Sequence, residues 1–387
     1  MRIVDVCAFY TPAGGGVKTY IDHKFRAGRD LGCEVVVIAP GAEDAVMPRG
    51  PGAVLVTIAS PRFPLDRRYR YFADEARLHR ALSDWRPDYV EASSPWSSAS
   101  KVGRWQGGAP RSLVMHADPL SAYAYRWFGG IADIATIDRG FDRFWQHLRA
   151  LDAQFDNVIC ANADLTDRLR RGGITGATTV RMGVQNDVFS PRHRDPATRR
   201  SLLALCNLDD NATLLIGVGR YSPEKRWDMV IDAAISASVR LPLGLVLVGD
   251  GRSRKSLVAG TAGSPHVMVG APIRDRAALA TVMASADALV HGCEAETFCM
   301  TAAEARASNT PVIVPDRGGA ADHADRYPSL RYRAADRVAL RDAMVAFARS
   351  DRSRPLYDPA AIRTMDDHFR DLFAMYRGQA FPSRLAA

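Results

Sequence analysis

The sequence predicts an α/β protein whose two domains each carry a doubly wound parallel sheet and face each other across a cleft. The chain has 387 residues, of which 47% are hydrophobic, so it is too long for one ordinary compact core and fits two domains. Short β-branched runs alternate with helical patterns from start to finish, which is typical of parallel sheets wrapped by helices. A polar and charged stretch interrupts the series after residue 190. We therefore expect domains at 1–190 and 191–359.

The first series opens with a strand at 2–9 and a helix at 17–31. The other strands expected in this half are 34–39, 53–58, 88–91, 112–116, 157–161 and 178–181. The other helices expected here are 73–85, 119–151 and 163–171. This spacing predicts repeated βα units in the first domain.

The second series repeats the alternation. Its expected strands are 214–219, 245–248, 266–269, 288–291 and 312–314. Its expected helices are 226–239, 274–284 and 301–307. A last helical pattern covers 359–375. The second half therefore predicts another sheet of the same kind, with ligands expected at the carboxyl ends of its strands.

Composition and charge exclude several classes of protein. The net charge is +8, but the basic residues are spread among nearly as many acids and no recognised binding motif accompanies them, so we do not expect nucleic-acid binding. No secretory signal and no run of spanning length is present, which indicates a cytoplasmic protein. The cysteines are scattered without metal-ligand spacing and read as reduced core residues. They are Cys7, Cys33, Cys160, Cys206, Cys293 and Cys299.

Two carboxylates, Glu296 and Glu304, lie eight residues apart across a predicted strand-to-helix junction. If the helix starts near Phe298, eight residues turn through roughly 800°, so both side chains can face one side. Carboxylates accept hydrogen bonds from the hydroxyl pairs of riboses and hexoses. Alternatively, Glu296 only favours a helix N-terminus and Glu304 is a solvated helix residue.

A glycine-rich loop, Thr11–Gly16, follows the first predicted strand and precedes a helix. Its bare backbone can approach a phosphate at the helix N-terminus. The spacing excludes a P-loop, because Val17 stands before Lys18, and it excludes a dinucleotide loop, because the third glycine is missing. A tight turn without a ligand is the alternative.

Two cations follow the first strand of the second series. Arg220 offers a fixed fork of donors and Lys225 a compact charge, and together they could neutralise a departing diphosphate. Alternatively, Arg220 pairs with a structural acid and Lys225 with Glu224 or Asp228.

These segments resemble the family-4 nucleotide-sugar glycosyltransferases. The matching elements are Gly217–Lys225, Val248–Gly251, Glu296-Thr297-Phe298, Glu304-Ala305, Pro311-Val312 and Gly318-Gly319. Cys299 and Asn309 depart from the pattern, since the family usually has Gly at both positions. The resemblance implies the GT-B fold, with two Rossmann-like domains and a C-terminal helix at about 360–387 that crosses back to the first domain.

The resemblance also implies roles for individual residues. Catalytic residues would be His116, Arg220, Lys225 and Glu296, with the cations and the glycine amides stabilising charge on the leaving diphosphate. Glu304 would hold the ribose, Glu296 the hexose hydroxyls, and His116 would contact the sugar. Residues expected to bind the donor are Gly15, Gly16, Gly249, Gly251, Ile273, Glu296, Thr297, Phe298, Cys299, Met300, Thr301 and Glu304.

The acceptor side is less clearly marked. Ser94, Trp96 and Asp118 follow predicted strands and could line an acceptor pocket, although packing, or helix capping by Asp118, explains them equally well. The segment 62–80 interleaves arginines with aromatics, as a peripheral membrane surface does. A solvated helix face is the alternative. The basic and aromatic segment favours a lipid-linked acceptor, and the family resemblance implies a lipid-linked or saccharide acceptor.

The resemblance therefore implies a metal-independent, retaining hexosyltransferase without a cofactor, which uses GDP-mannose or a UDP-hexose as its donor. We expect it in the cytoplasm, in peripheral contact with an anionic membrane. Two alternatives stay open. One is an epimerase or phosphorylase of the same fold, and the other is a non-catalytic protein that binds sugar nucleotides.

Overall fold

The structure, a computed structural model, describes residues 1–11, 16–64, 67, 69–185, 187–351 and 362–378. It divides into two compact units. Unit 1 comprises Met1–Asp118, Trp127–Met182 and the described part of Met365–Ala387. Unit 2 comprises Pro119–Arg126 and the described part of Gly183–Thr364.

The units divide between Met182 and Gly183, whereas the sequence placed the boundary near residue 190. The reason is that the segment after the division joins the second core, where Val184 and Phe189 are buried. Val184 also forms a parallel bridge with Thr364. The polar stretch beyond residue 190 therefore belongs to the surface of unit 2.

Strands and helices alternate through the first 182 residues. The strands are β1 (Arg2–Val6), β2 (Glu34–Gly41), β3 (Ala45–Gly50), β4 (Ala53–Ala59), β5 (Tyr89–Ser93), β6 (Arg111–Val114), β7 (Asn157–Cys160) and β8 (Ala177–Thr179). The helices are α1 (Gly16–Asp30), α2 (Glu75–Trp85), α3 (Ser97–Gly103), α4 (Arg126–Phe128), α5 (Ile134–Gly140), α6 (Asp142–Asp152) and α7 (Ala163–Arg171). A π-helical segment, Leu120–Tyr125, precedes α4.

The strands of unit 1 form one sheet in the order β3-β4-β2-β1-β5-β6-β7-β8. All neighbours pair in parallel except β3 and β4, which form an antiparallel hairpin. The order runs outward in both directions from β1, so the β1–β5 junction is the switch point of a doubly wound sheet. The central strands are buried on both faces, as parallel sheets covered by helices require.

Unit 2 repeats the alternation. Its helices are α8 (Pro196–Leu205), α9 (Trp227–Ser238), α10 (Arg254–Gly260), α11 (Arg276–Ser285), α12 (Met300–Ala307) and α13 (Arg337–Ala348). Its strands are β9 (Thr213–Val218), β10 (Leu243–Val248), β11 (Val267–Val269), β12 (Ala288–Val290), β13 (Val312–Pro315) and β14 (Leu330–Tyr332). They form a parallel sheet in the order β11-β10-β9-β12-β13-β14, so its switch point lies between β9 and β12. The prediction of two Rossmann-like α/β halves is confirmed.

The last described helix, α14 (Met365–Tyr376), belongs to unit 1, as predicted for the C-terminal helix. It buries Phe369, Leu372 and Phe373 in the core formed by α1 and the central strands. Residues 352–361, which the sequence assigned partly to this helix, lie outside the described residues.

A buried ionic cluster ties α14 to the centre of the unit 1 sheet. Lys24 lies 2.8 Å from Asp5 and 2.6 Å from Glu91, and all three side chains are fully buried. Asp5 and Glu91 lie opposite each other on adjacent strands. Because the single Lys24 ammonium faces two carboxylates, it neutralises their combined charge only in part. The Tyr376 hydroxyl donates to Glu91 at 2.7 Å and supplies a further hydrogen bond. Buried charges without such partners are strongly destabilising.

Two local predictions were wrong. The single helix expected over 119–151 is interrupted at Gly129-Gly130, where flexible backbone disfavours a helix, and it restarts when the Asp133 side chain caps α5. The sequence also missed β3, whose exposed, proline-containing edge lacks the apolar alternation of a half-buried strand. Among the described helices, none is both long and apolar enough to cross a membrane.

Candidate active site

The switch point of the unit 2 sheet brings together two loops that are distant in sequence. Strand β9 ends at Val218 and β12 ends at Val290, and the two strands are neighbours that pair in parallel. The loop after β9 contains Lys225 in a short 3-10 turn, Pro223–Lys225. The loop after β12 begins at His291. Open α/β sheets bind ligands at the carboxyl edge of such a junction.

Lys225, Glu296 and His291 contact one another at this edge. The Lys225 ammonium donates to Glu296 Oε1, and His291 Nε2 lies 3.1 Å from the same oxygen. We call these three residues the Lys–Glu–His cluster. Its Lys225 and Glu296 side chains are 17% and 21% exposed, so a ligand can reach both. The cluster therefore presents a cation and an acceptor side by side.

The charges of the Lys–Glu–His cluster stabilise each other. Burial alone would raise the pKa of Glu296, but the Lys225 ammonium and the hydrogen bond from His291 outweigh it and hold the pKa well below its usual value. Burial alone would lower the pKa of Lys225, but the Glu296 carboxylate raises it above its usual value. Both groups are therefore ionised at neutral pH.

Three side chains at this edge have the donor types of a metal site. One ligand atom from each of His291, Glu296 and Cys299 lies within 4.8 Å of the other two. However, Glu296 Oε1 already accepts from the Lys225 ammonium, and this positive charge repels a second cation beside the same carboxylate. A metal at this place would have to compete with the Lys225–Glu296 ion pair.

The backbone at the ends of β9 and β10 approaches too closely for side chains. A Cβ on Gly249 would lie 1.9 Å from the Gly219 carbonyl oxygen, and one on Gly251 would lie 2.3 Å from the Tyr221 carbonyl oxygen. The Tyr221 hydroxyl donates to the Gly270 carbonyl at 2.9 Å and fixes the next loop. The glycines predicted to bind the donor therefore pack two loops together at the carboxyl edge.

Gly249→Ala is expected to lower the free energy of unfolding by about 1–3 kcal/mol, because the added methyl group must displace backbone that cannot rotate away. Gly260→Ala is the matched control, since its Cβ would meet nothing within 4 Å. Urea unfolding of both variants measures the difference. Equal free energies of unfolding for the two variants would show that the backbone around Gly249 moves away from the added methyl group without loss of stability.

A second glycine pair positions Glu296. Gly318 has a φ of +68°, which favours glycine, and a Cβ there would lie 2.3 Å from the Glu294 carbonyl oxygen. The Gly319 N–H donates to the Glu296 carbonyl at 2.7 Å. The Gly318-Gly319 loop therefore holds the backbone from which the Glu296 side chain reaches Lys225.

Glu304 lies on α12 and has a different cationic partner. Its Oε1 is 3.1 Å from an Arg276 guanidinium nitrogen, and the Glu304 side chain is 5% exposed. Arg276 also donates to Gln185 at 2.8 Å and stacks over the Phe189 ring. Burial raises the pKa of Glu304 to about 7, against a smaller opposing effect of Arg276. The alternative in which Glu304 is a solvated helix residue is therefore excluded, and its role at the ribose stays a prediction.

The raised pKa of Glu304 makes stability depend on pH. The folded state holds this proton up to a pH of about 7, whereas the unfolded chain releases it near its ordinary pKa of about 4.3. Stability is therefore expected to fall as the pH rises through this window, by about 3–4 kcal/mol. Glu304→Gln removes the titrating group and should abolish the fall, while Glu43→Gln, an exposed control, should retain it. Urea unfolding across the window measures both, and an unchanged slope in Glu304→Gln would refute the assignment.

Cys299 stands where the chain enters α12, and its φ is +68°. The helix therefore begins at Met300. This is two residues after the Phe298 start on which the alignment of Glu296 with Glu304 depended, and one residue before the start of the helix expected over 301–307. Only Glu304 lies on α12, so the expected alignment of Glu296 and Glu304 along one helix does not occur. The Cys299 side chain points into the core, where it is 3% exposed, and its sulfur lies 3.6 Å from the Thr301 hydroxyl. Left-handed backbone at this position is the physical reason why glycine is usual there in the resembled family.

The remaining predicted donor residues of unit 2 surround these groups. Arg220 is half-exposed and only loosely paired with Glu224 at 3.4 Å, and Trp227 Nε1 donates to its carbonyl at 2.9 Å. Phe298 packs edge-on against His323, whose Nε2 lies 2.7 Å from the Phe298 carbonyl. Thr297, Met300, Thr301 and Ile273 are half-buried. The roles assigned to these residues stay predictions.

In unit 1, His116 follows β6 and packs edge-on against the Tyr20 ring, with centroids 4.8 Å apart. Burial lowers the pKa of His116 to about 4, so its imidazole is neutral at neutral pH. Tyr20 is itself held by His368 of α14, whose Nε2 lies 3.2 Å from the phenolic oxygen. The imidazole is therefore positioned as an uncharged hydrogen-bonding group.

The structure also places the other predicted residues of unit 1. Ser94 is buried, and Trp96, which precedes α3, is 36% exposed. The Asp118 carboxylate pairs with the Arg168 guanidinium of α7. Gly16 is the first residue of α1, while Gly15 lies outside the described residues.

Sequence reasoning missed two residues. His291 was read only as a strand end, although a polar residue directly after a buried strand at the switch point was a usable signal. Arg276 gave no signal, because its partner Glu304 lies on the next helix and only the packing of α11 beside α12 brings them together.

Known proteins resemble this chain in sequence and in fold. A family model described as Glycosyltransferase Family 4 matches residues 14–187, and one described as Glycosyl transferases group 1 matches residues 206–327. A GDP-mannose-dependent α-(1-6)-phosphatidylinositol dimannoside mannosyltransferase from Mycobacterium tuberculosis is 30% identical over 318 residues, covering 81% of this chain and 79% of that protein. A GDP-mannose-dependent α-mannosyltransferase from Mycolicibacterium smegmatis is 30% identical over 331 residues, covering 83% and 81%. Among solved structures, a sucrose-phosphate synthase from Thermosynechococcus elongatus has the same fold, with a TM-score of 0.69, 20% identity and coverage of 95% and 93%.

Proposed function

Since this chain belongs to the family 4 glycosyltransferases and is an enzyme that uses a nucleotide sugar, we propose that it transfers mannose from GDP-mannose to a lipid-linked acceptor. The names of its mannosyltransferase relatives support the choice of donor. The phosphatidylinositol dimannoside in the first relative's name supports a lipid acceptor. A lipid acceptor in turn implies that the enzyme meets its substrate at a membrane surface.

The Lys–Glu–His cluster is the observation that carries this proposal. As the bond between the hexose and the diphosphate breaks, negative charge grows on the diphosphate. The Lys225 ammonium, with the half-exposed Arg220 guanidinium, stabilises this charge, which lowers the barrier to transfer. Both cations follow the same strand end, where a diphosphate would lie.

Donor binding is expected to rearrange the cluster. A diphosphate attracts Lys225 away from Glu296, and the released carboxylate then accepts hydrogen bonds from hexose hydroxyls. The Glu304 carboxylate likewise accepts hydrogen bonds from the ribose hydroxyls, and Arg276 lies beside it. The resemblance to the family implies that His116 contacts the sugar and that the anomeric configuration is retained.

We also propose that transfer needs no metal. The charge that a divalent cation would supply to the diphosphate comes from Lys225 and Arg220. The Glu296 carboxylate that could hold such a cation is bound to Lys225 before the donor arrives and to hexose hydroxyls afterwards.

Product analysis tests the proposal. The enzyme is incubated with GDP-mannose, UDP-glucose or ADP-glucose, each with a phosphatidylinositol mannoside or with a short mannoside, and with a chelator throughout. We expect mass spectrometry to show addition of one hexose with GDP-mannose and the lipid, and NMR to show an α-linkage. Transfer only from another donor, or only after a divalent metal is added, would overturn the donor or the metal proposal respectively.

A further inference from the structure

A basic pocket lies in unit 1, outside every residue assigned to the active site. One wall is a face of α1 formed by Asp22, Phe25, Arg26 and Arg29, at the helical spacing that places side chains together. The other wall is the β3–β4 turn with Arg49 and Pro51. Its volume is 340 Å³, which is within the range of about 300–1,000 Å³ found for small-molecule sites. We call it the arginine pocket.

Two of the three arginines have no partner among the described residues. Arg29 forms an ion pair with Asp30 at 3.1 Å, and it stands in the last turn of α1, where the helix dipole favours a cation. By contrast, Arg26 and Arg49 are exposed and make no ion pair or hydrogen bond within the described chain. The acid of the lining, Asp22, is already bound to Lys18.

Convergence on one pocket distinguishes Arg26 and Arg49 from other exposed arginines. In the segment 62–80, for which the sequence left a membrane surface and a solvated helix face open, Arg77 pairs with Asp44 at 2.5 Å and Arg70 donates to the Ser60 carbonyl at 2.5 Å. Arg26 and Arg49 lack such internal partners and converge on one pocket from two different elements. The acid of the pocket, Asp22, is already paired with Lys18, so the like charges of Arg26 and Arg49 repel each other and an anion placed between them is favoured.

The pocket is separate from the ligand edge of its own sheet. Arg29 lies near the C-terminal end of α1, just before β2 begins, and the 49–53 turn leads directly into β4. Strands β2 and β4 are parallel, with Val35 opposite Ala53. The pocket is therefore at the amino ends of these strands, whereas His116 and the glycine loop follow carboxyl ends.

We propose that the arginine pocket binds a phosphate group. Guanidinium groups form paired, charge-assisted hydrogen bonds with phosphate oxygens, and Phe25 and Pro51 supply apolar surface beside them. The phosphate is carried either by the headgroup of an anionic lipid or by a free phosphate or diphosphate ion. The two sources share this chemistry and are separated by experiment.

The double variant Arg26→Ala/Arg49→Ala tests the proposal in the full-length protein. Its matched control is Arg143→Ala/Arg171→Ala. This variant removes two exposed arginines of unit 1 whose side chains also form no ion pair or hydrogen bond within the described chain. Sedimentation with phosphatidylcholine vesicles, with and without phosphatidylglycerol, measures lipid binding. Thermal shift and calorimetry with inorganic phosphate and pyrophosphate measure ion binding. GDP-mannose affinity and the circular dichroism spectrum should be unchanged in both variants.

If a lipid headgroup is the source, the pocket variant should bind phosphatidylglycerol vesicles roughly thirtyfold more weakly than the wild type, and the control should not. If a free ion is the source, the pocket variant alone should lose the thermal shift that phosphate or pyrophosphate still causes when saturating GDP-mannose fills the donor site. The proposal is overturned if neither property changes, or if the control loses as much binding as the pocket variant. If the affinity for GDP-mannose is unchanged in both variants, the test of the arginine pocket does not depend on whether the proposed donor is right.

Discussion

Replacement of Lys225 by alanine is expected to lower kcat/KM for transfer by at least about 10²–10³-fold, which is the loss typical for removal of one group that stabilises a transition-state charge. The reason is the position of its ammonium at the switch point of the unit 2 sheet, where no other described lysine lies in contact with Glu296. Initial rates over a range of GDP-mannose concentrations measure the effect. Lys255→Ala, an exposed lysine on α10, is the control and should keep the wild-type rate.

A second variant separates catalysis from stability. Lys225→Ala leaves the Glu296 carboxylate half-buried without its ammonium partner, and breaking a buried pair typically costs about 3–5 kcal/mol. Lys225→Ala/Glu296→Gln removes the unpaired charge and should regain most of the stability while staying inactive. Wild-type rates in Lys225→Ala would contradict the role given to this residue, whatever its stability.

Replacement of Lys24 by methionine is expected to lower the free energy of unfolding by about 3–5 kcal/mol, because it leaves two adjacent carboxylates buried without a cation. The cluster joins β1, α1, β5 and, through Tyr376, α14. Urea unfolding at neutral pH measures the loss. Lys18→Met is the control on the same helix, and removal of its largely exposed ion pair with Asp22 should cost no more than about 1 kcal/mol.

The combined variant Asp5→Asn/Lys24→Met/Glu91→Gln distinguishes charge from packing. If unpaired charge causes the loss, neutralising both acids should recover much of it. A combined variant as unstable as Lys24→Met alone would show instead that the shape of the lysine side chain matters, and the electrostatic explanation would be wrong.

Much of the candidate site could be predicted from the sequence. The loops after β6, β9 and β12 contain His116, Lys225 and Glu296, and their places at strand ends follow from alternating apolar runs that are visible locally. The family resemblance depends on the same local segments. The long helix expected over 119–151 failed, because a polar, aromatic-rich stretch with two glycines fits several arrangements of nearly equal energy.

Pairing between side chains could not be predicted. The sequence offered Glu224 and Asp228 as partners of Lys225, because they are its neighbours in the chain. The structure pairs it with Glu296, 71 residues away. In the same way, the sequence left a solvated Glu304 open as an alternative, which its pairing with Arg276 and the packing of α11 beside α12 exclude.

The sequence by itself determined the two α/β halves, the family and the strand ends that hold the active-site groups, because each depends on periodicity or on a short run of residues. Only the tertiary structure decided which charges meet. Strands β9 and β12 are adjacent in the sheet although β10 and β11 lie between them in the chain, so the pairing of Lys225 with Glu296 depends on strand order. The same is true of the arginine pocket, where α1 and the β3–β4 turn bring Arg26 and Arg49 together from positions 23 residues apart.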